Sequence, residues 1–250
     1  MSASLGGQYE VVPGWRMGLS LSHSERAASI DELFANGPHG GSESFEQGNP
    51  ALKPESGNGA ELSLHHTSGP VHLTANAYYT RFSNFIFQAP TGAVEDDLPV
   101  YTTRQGKADY YGFELQGDAR LGHALGVDWG AEAQGDWVHA SVTGFGPAPL
   151  IPPLRALGTL TAARGQIDGR IELEHAFDHT RVAPLERATP GYTLVNATLD
   201  WHPLAHKPQL TLSLAGNNLF DVDARRSTSL LKDYAPLAGR DIRLSARLGF

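Results

Sequence analysis

Eleven histidines are spread over 250 residues, and no cysteine accompanies them. Imidazole is a ligand for zinc, copper, nickel and iron, and carboxylates can complete such a site. Two of the histidines have acids close by in the chain. His39 sits in Gly37-Pro38-His39-Gly40-Gly41, a stretch that keeps the backbone mobile and the ring exposed, and Asp31 and Glu32 come shortly before it. His179 directly follows Asp178. The candidate metal ligands are therefore His39, His179, Asp178, Asp31 and Glu32. The alternative is a set of histidines scattered over a surface, and spacing alone leaves both open. Covalent and acid–base chemistry finds less support. Gly-x-Ser-x-Gly, a phosphate loop and His-Glu-x-x-His are all missing from the sequence. Glu172 and Glu174 are two residues apart, so on a strand they share one face, as a solvated wall requires. Neither an enzyme nor a tightly bound cofactor is expected.

The formal net charge is -8 and no basic run occurs, which argues against a nucleic-acid partner. Without cysteine there is no disulfide framework. No stretch approaches the roughly 20 apolar residues of a membrane-spanning helix. That leaves a membrane open, because barrel strands carry only about 10 residues of alternating pattern each. Met1 is followed by neither a basic nor an apolar region, so no signal peptide is read. The expectation is either a cytoplasmic protein or a missing N-terminus.

The elements that must position these side chains are strands. The alternation is strictest at the end of the chain. Ile242, Leu244, Ala246, Leu248 and Phe250 share one face, and Arg243, Ser245, Arg247 and Gly249 the other. Trp15 to Leu21, Val71 to Tyr79, Tyr111 to Leu121, Val127 to Trp137, Ile171 to Phe177 and Val195 to Trp201 repeat the pattern, and about eleven strands are expected. Long connections near 23–58, 88–108, 144–154, 178–191 and 221–239 alternate with short turns near 12–14, 67–70, 122–126, 164–168 and 203–208. A transmembrane barrel requires that asymmetry, with short turns at one rim and long loops at the other. A loop as long as 23–58 reads as functional or disordered. The fold expected is all-β, an antiparallel transmembrane β-barrel, with 1–250 as a single domain.

Three stretches resemble TonB-dependent outer-membrane receptors, the plugged transporters of Gram-negative bacteria. Asn49-Pro50-Ala51-Leu52-Lys53-Pro54-Glu55 is followed on schedule by Glu61-Leu62-Ser63-Leu64. Asn217-Asn218-Leu219-Phe220-Asp221 precedes the last long loop, and the closing strand ends on Phe250, similar to the aromatic signal read by the barrel-assembly machinery. Ile151-Pro152-Pro153 resembles the family's entry to a descending strand. The family's Phe-Arg-Ala-Pro-Ser is kept only in part, as Glu25-Arg26-Ala27-Ala28-Ser29. The resemblance implies uptake of a scarce metal, or of a metal chelate such as a siderophore or haem, across the cell outer membrane. It implies outer-membrane lipid and the assembly machinery as partners, and the TonB complex acting only through a plug. It also implies a 22-stranded barrel. About eleven strands make the C-terminal half of one, so the N-terminal plug, the TonB box and the signal peptide would lie before Met1. The chain is then expected to be a fragment, with two open edges that lipid does not tolerate. Leu33 to Gly40 and Leu231 to Arg240 look most like the zinc-uptake branch. Two other readings stand beside this one. A soluble β-sandwich that binds carbohydrate would need no detergent and would bury its apolar faces as a core. A barrel remnant would have no transport role.

Overall fold

Side chains two residues apart share a face, and strand pairing carries that face from one strand to the next. The computed structural model describes residues 1–204 and 210–249. Its elements are β1 (Ala3–Val12), β2 (Trp15–Arg26), α1 (Ile30–Phe34), β3 (Asn36–His39), β4 (Ser44–Gln47), β5 (Glu55–His66), β6 (Val71–Glu95), β7 (Leu98–Ala124), β8 (Val127–Val142), β9 (Gly146–Pro147), β10 (Arg155–Arg164), β11 (Ile167–Ala176), β12 (Tyr192–Trp201), β13 (Leu210–Asn217) and β14 (Asp241–Leu248). Eleven of them form one antiparallel path in the order β1-β2-β5-β6-β7-β8-β10-β11-β12-β13-β14, with β1 and β14 at its ends.

The register keeps the two faces apart. One rung runs Gln8, Gly18, Ser63, Asn76, Glu114, Asp136, Arg155 across seven strands. The neighbouring rung on the opposite face runs Gly7, Leu19, Leu62, Ala77, Phe113, Trp137. Further along, Leu160, Ile171, Ala197, Gly216 and Ile242 continue the apolar side. That side is not a core. Leu5 is 77% exposed, Ile171 55% and Leu244 78%. A soluble sandwich would cover such a face with a second sheet, but among the described residues every strand belongs to one sheet. A band of exposed Leu, Ile and Phe over a polar inner face is the inside-out arrangement of a transmembrane barrel. Aromatic residues mark its margins. Tyr111 stacks on His139 at 4.8 Å and meets Trp137 at 5.8 Å near the long-loop rim, and Trp15 stacks on His66 at 4.4 Å near the short-turn rim.

The buried residues gather instead at the long-loop end. Phe87, Ala89, Ala108, Ala140, Val142, Ala148 and Ile151 form one cluster, flanked by Phe82, Phe85, Tyr110 and Phe145. Here the structure corrects the sequence. Residues 88–108 are not a loop, because β6 and β7 continue as a paired hairpin to Glu95↔Leu98. Asp96 and Asp97 have φ of 51° and 62°, the two left-handed positions that a tight hairpin turn demands. A register shift between Phe82 and Phe85 places one extra residue in β6. It puts Phe85 and Phe87 on the side of Phe82, where Phe82 and Phe85 both contact Tyr110, at 5.4 and 5.2 Å.

The connection after β2 is also built, not disordered. Ser29 accepts from the Glu32 amide at 3.2 Å, and the Glu32 carboxylate accepts from the Ser29 amide at 2.7 Å. This capping box starts α1. β3 and β4 follow as a small hairpin, and β4 pairs in parallel with β7 through Phe45↔Val100. Gly48 returns against the helix, its amide donating to the Ala35 carbonyl at 2.7 Å. A Cβ there would lie 2.5 Å from the Phe34 nitrogen, so only glycine permits the approach.

Candidate functional site

The recognisable motifs prove to be fasteners for the long-loop end. Arg26, the last residue of β2, donates to Glu32 at 2.8 Å and to Glu55 at 3.3 Å, joining α1 to β5. Glu55 also accepts from the Ile86 amide at 2.8 Å. Asn49 Oδ1 accepts from the Ala51 amide at 3.0 Å, closing a turn ahead of Pro54. The Lys53 amide donates to Gln105 Oε1 at 2.8 Å, and Gln105 donates back to the Lys53 carbonyl. Pro50 and Leu52 lie within this turn. The second motif fastens the last loop. Asn218, buried and with φ of 46°, accepts from the Val222 amide at 2.9 Å and donates to the carbonyls of Val222 and Ala238. Asp221 accepts from the Arg240 amide at 2.8 Å, and Asn217 reaches Asp241 at 3.4 Å. Leu219 hydrogen-bonds the Val195 carbonyl through its amide at 2.9 Å, while Phe220 stays exposed. Phe250 lies outside the described residues.

Three loops are tied together above the polar face. Lys232 is buried, Glu186 is 10% exposed at its side chain, and the two pair at 3.1 Å. Lys232 also donates to the Arg187 carbonyl at 2.8 Å, and Glu186 accepts from the amides of Leu150 and Ala183 at 3.3 and 3.2 Å. Tyr234 donates to Glu43, linking the last loop to the β3–β4 hairpin. The result is a cavity of about 520 Å³ whose charged lining is Glu32, Glu46, Glu186 and Asp233 against Arg187 and Lys232. His39 lines it as well. Its Nδ1 lies 2.9 Å from Ser42 Oγ and 3.5 Å from Glu46 Oε1. Glu46 was not among the residues singled out from the sequence. It is seven residues beyond His39, and only the hairpin brings the two together.

The other candidates sit elsewhere. Glu32 lines the same cavity but is held by Arg26 and by its capping box. Asp31 is on the first turn of α1. Asp178 accepts from the Gly191 amide at 2.6 Å, which staples the base of its loop. His179 is buried, pairs through its backbone with Thr189, and lines a second cavity of about 260 Å³. The structure thus brings His39 and Glu32 to one cavity and His179 to another. Among the described residues no group of three or more potential ligands surrounds a single point.

Burial lowers the His179 ring from the usual histidine value, and the positive charges of Lys232 and Arg181 add to this against the pull of Glu186. A ring that resists protonation in the folded loop binds its proton more readily when the loop opens. Stability is therefore full above the ordinary histidine value of about 6.5 and is lost as pH falls below it. The protection of residues 177–191 against hydrogen exchange, corrected for the intrinsic slowing of amide exchange in acid, is expected to fall on acidification, and His179→Gln to flatten that dependence. An equal fall in both would assign the effect to another group.

The polar face, the exposed apolar band and the capped end find their counterparts among known proteins. The family described as TonB dependent receptor-like, beta-barrel, matches residues 1–219. Among solved structures, the copper transporter OprC superposes with a TM-score of 0.84 at 17% identity, over 100% of this chain and 39% of its own. The FrpB iron transporter from Neisseria meningitidis gives 0.71 at 14% identity, over 98% and 37%. The siderophore receptor PirA from Acinetobacter baumannii gives 0.69 at 16%, over 100% and 41%. Identities this low establish the fold alone, and this chain spans about two fifths of the length of each. The family match over most of the chain, joined to a sheet whose apolar face is turned outward, places the protein in the TonB-dependent receptor family as a β-barrel of the Gram-negative outer membrane.

Proposed function

We propose that this barrel belongs to a transporter that takes up a metal ion, or a metal chelate such as a siderophore or haem, with zinc as the preferred ion. Residues 1–250 then form a single incomplete domain, about half of a 22-stranded barrel. The TonB complex acts on it only through a plug, lipid surrounds it, and the assembly machinery reads Phe250. The neighbours named as copper transporter, iron transporter and siderophore receptor support the substrate class. The observation that carries the reading is the acidic cavity at the extracellular end, with His39 and Glu46 3.5 Å apart on its wall. Arg26, Lys232 and Arg187 pair with Glu32, Glu186 and Asp233, so the charge of Glu46 is left over to favour a cation, and an imidazole beside it favours one of the zinc type. Asp31 and Glu32 stand on the adjoining helix. A ligand role for Asp178 and His179 requires the loops to rearrange, since His179 faces the second cavity.

The test is zinc titration by calorimetry on the receptor purified from outer membranes. Glu46→Gln, which keeps the size of the side chain, is expected to weaken binding by roughly 10- to 100-fold, and His39→Ala by at least as much. Binding should weaken between about pH 7.5 and about pH 5.5, because an imidazole must shed its proton to take a metal. Unchanged affinity in both variants would remove this cavity from the ion's path.

A further inference from the structure

The apolar face is not smooth. A groove of about 520 Å³ with an almost wholly apolar lining opens on it across β10, β11, β12 and β13. Its floor is four small residues, and the pairing makes it run diagonally. Ala162 opposes Gly169 on β10 and β11, and Ala197 opposes Gly216 on β12 and β13, one rung nearer the long-loop rim. Each rung is large where the other is small. Leu199 and Leu214 continue the first, and Leu160 and Ile171 lead into the second, so the floor has a bank on either side. At the upper end Leu219 folds over Gly216, where a Cβ would lie 2.6 Å from Leu219 Cδ2. The lower end meets a charge. Arg164 follows Ala162 on the same face of β10, exposed, at the short-turn rim. Its rung continues as Ile167, Trp201 and Leu212, so no acid shares it. The nearby acids Asp128 and Asp168 oppose Ala163 on the polar face, where they pair with His123 and His202 at 2.8 and 2.9 Å. Among the described residues Arg164 forms no ion pair. A lone arginine on a face turned to lipid is costly in hydrocarbon and settles at the headgroup level. Trp201 beside it and Trp129 at the edge of the groove are side chains of that same level.

We propose that this groove binds one phospholipid of the periplasmic leaflet, with its phosphate on Arg164 and one acyl chain lying along the floor towards Leu219. The paired N–H donors of a guanidinium match phosphate oxygens. From Arg164 to Gly216 the path rises roughly 13 Å along the strands and crosses roughly 14 Å of sheet. That is long enough for a chain to pass through one leaflet, half of a hydrocarbon core of about 30 Å. The position of the charge selects the leaflet. Lipopolysaccharide carries its phosphates at the opposite, long-loop rim, whereas Arg164 stands at the rim of the short turns.

The experiment is native mass spectrometry of the delipidated receptor, purified from outer membranes and titrated with dioleoyl phosphatidylglycerol. Dioleoylglycerol, which has the same chains and no phosphate, and lipid A are titrated separately. The first phosphatidylglycerol is expected to bind about 10- to 100-fold more tightly than dioleoylglycerol, the scale of one charge-assisted hydrogen bond. Arg164→Gln should abolish that difference. Ala162→Leu and Ala197→Leu, which fill the floor with a residue that lipid tolerates, should each weaken both glycerolipids by roughly 10-fold. Ala77→Leu, on the same apolar face away from the groove, should change neither. Retained heat-modifiable migration on gels shows that a variant has folded. If a variant does not fold, the comparison of the two glycerolipids on the unmodified receptor decides. Equal binding of those two overturns the phosphate contact, and unchanged binding by the folded, filled variants overturns the groove. Lipid A binding more tightly than phosphatidylglycerol overturns the leaflet. Since zinc is absent throughout, no outcome depends on the transport reading.

Discussion

Lys232→Met is expected to cost about 3–5 kcal/mol in the stability of the extracellular loops, because it strands the buried Glu186 carboxylate without its cation. Lys232 is buried and Glu186 nearly so, and their 3.1 Å contact joins loops 46 residues apart. The same ammonium holds the Arg187 carbonyl, so that acceptor is orphaned too. The measurement is hydrogen exchange of residues 177–191 and 221–239 in the receptor. Exchange should rise in both loops together, although only one carries the substitution. The double variant Lys232→Met, Glu186→Leu should recover part of the loss, since an apolar pair replaces the isolated charge. Recovery stays partial, because Glu186 also accepts from the amides of Leu150 and Ala183. Exchange that rises only in the substituted loop would show that the ion pair does not join the two.

Leu244→Arg and Ser245→Arg, adjacent on β14, should differ sharply. Leu244 opposes Leu214 on the exposed apolar face, and Ser245 opposes Ser213 on the polar face. An arginine on the lipid side near the bilayer midplane costs about 2–4 kcal/mol, whereas one facing the water-filled interior costs far less. Reversible unfolding of the receptor in lipid vesicles measures both. Equal costs would mean that the apolar face does not meet lipid, and the barrel assignment would fail.

Much of this architecture was legible from residue order, for a local reason. The side-chain period of a strand is two, so the faces of β14, β8 and β11 follow from alternation over a few neighbours. The alternation of long and short connections gave the rim asymmetry. The motifs at 49–55 and 217–221 were recognisable, but their work was not. That Lys53 clamps Gln105 across 52 residues, or that Asn218 ties Val222 to Ala238, appears only with the chain folded. The capping box of Ser29 and Glu32 is a signal present in the sequence, masked by the polar stretch around it that reads as one long loop.

Composition and alternation by themselves determined an all-β barrel with one face for lipid, since that information is carried by residues within a strand's length of one another. The tertiary structure decided the rest. One extra residue in β6 re-aimed Phe85 and Phe87, and pairing as far as Glu95↔Leu98 turned an apparent loop into the longest hairpin. It set Glu46 beside His39 and carried His179 away to a second cavity. Such groupings join loops separated by as many as 191 residues, as Tyr234 and Glu43 are. No local spacing encodes them, because they form only when the curvature of the whole sheet brings the ends of distant strands to one rim.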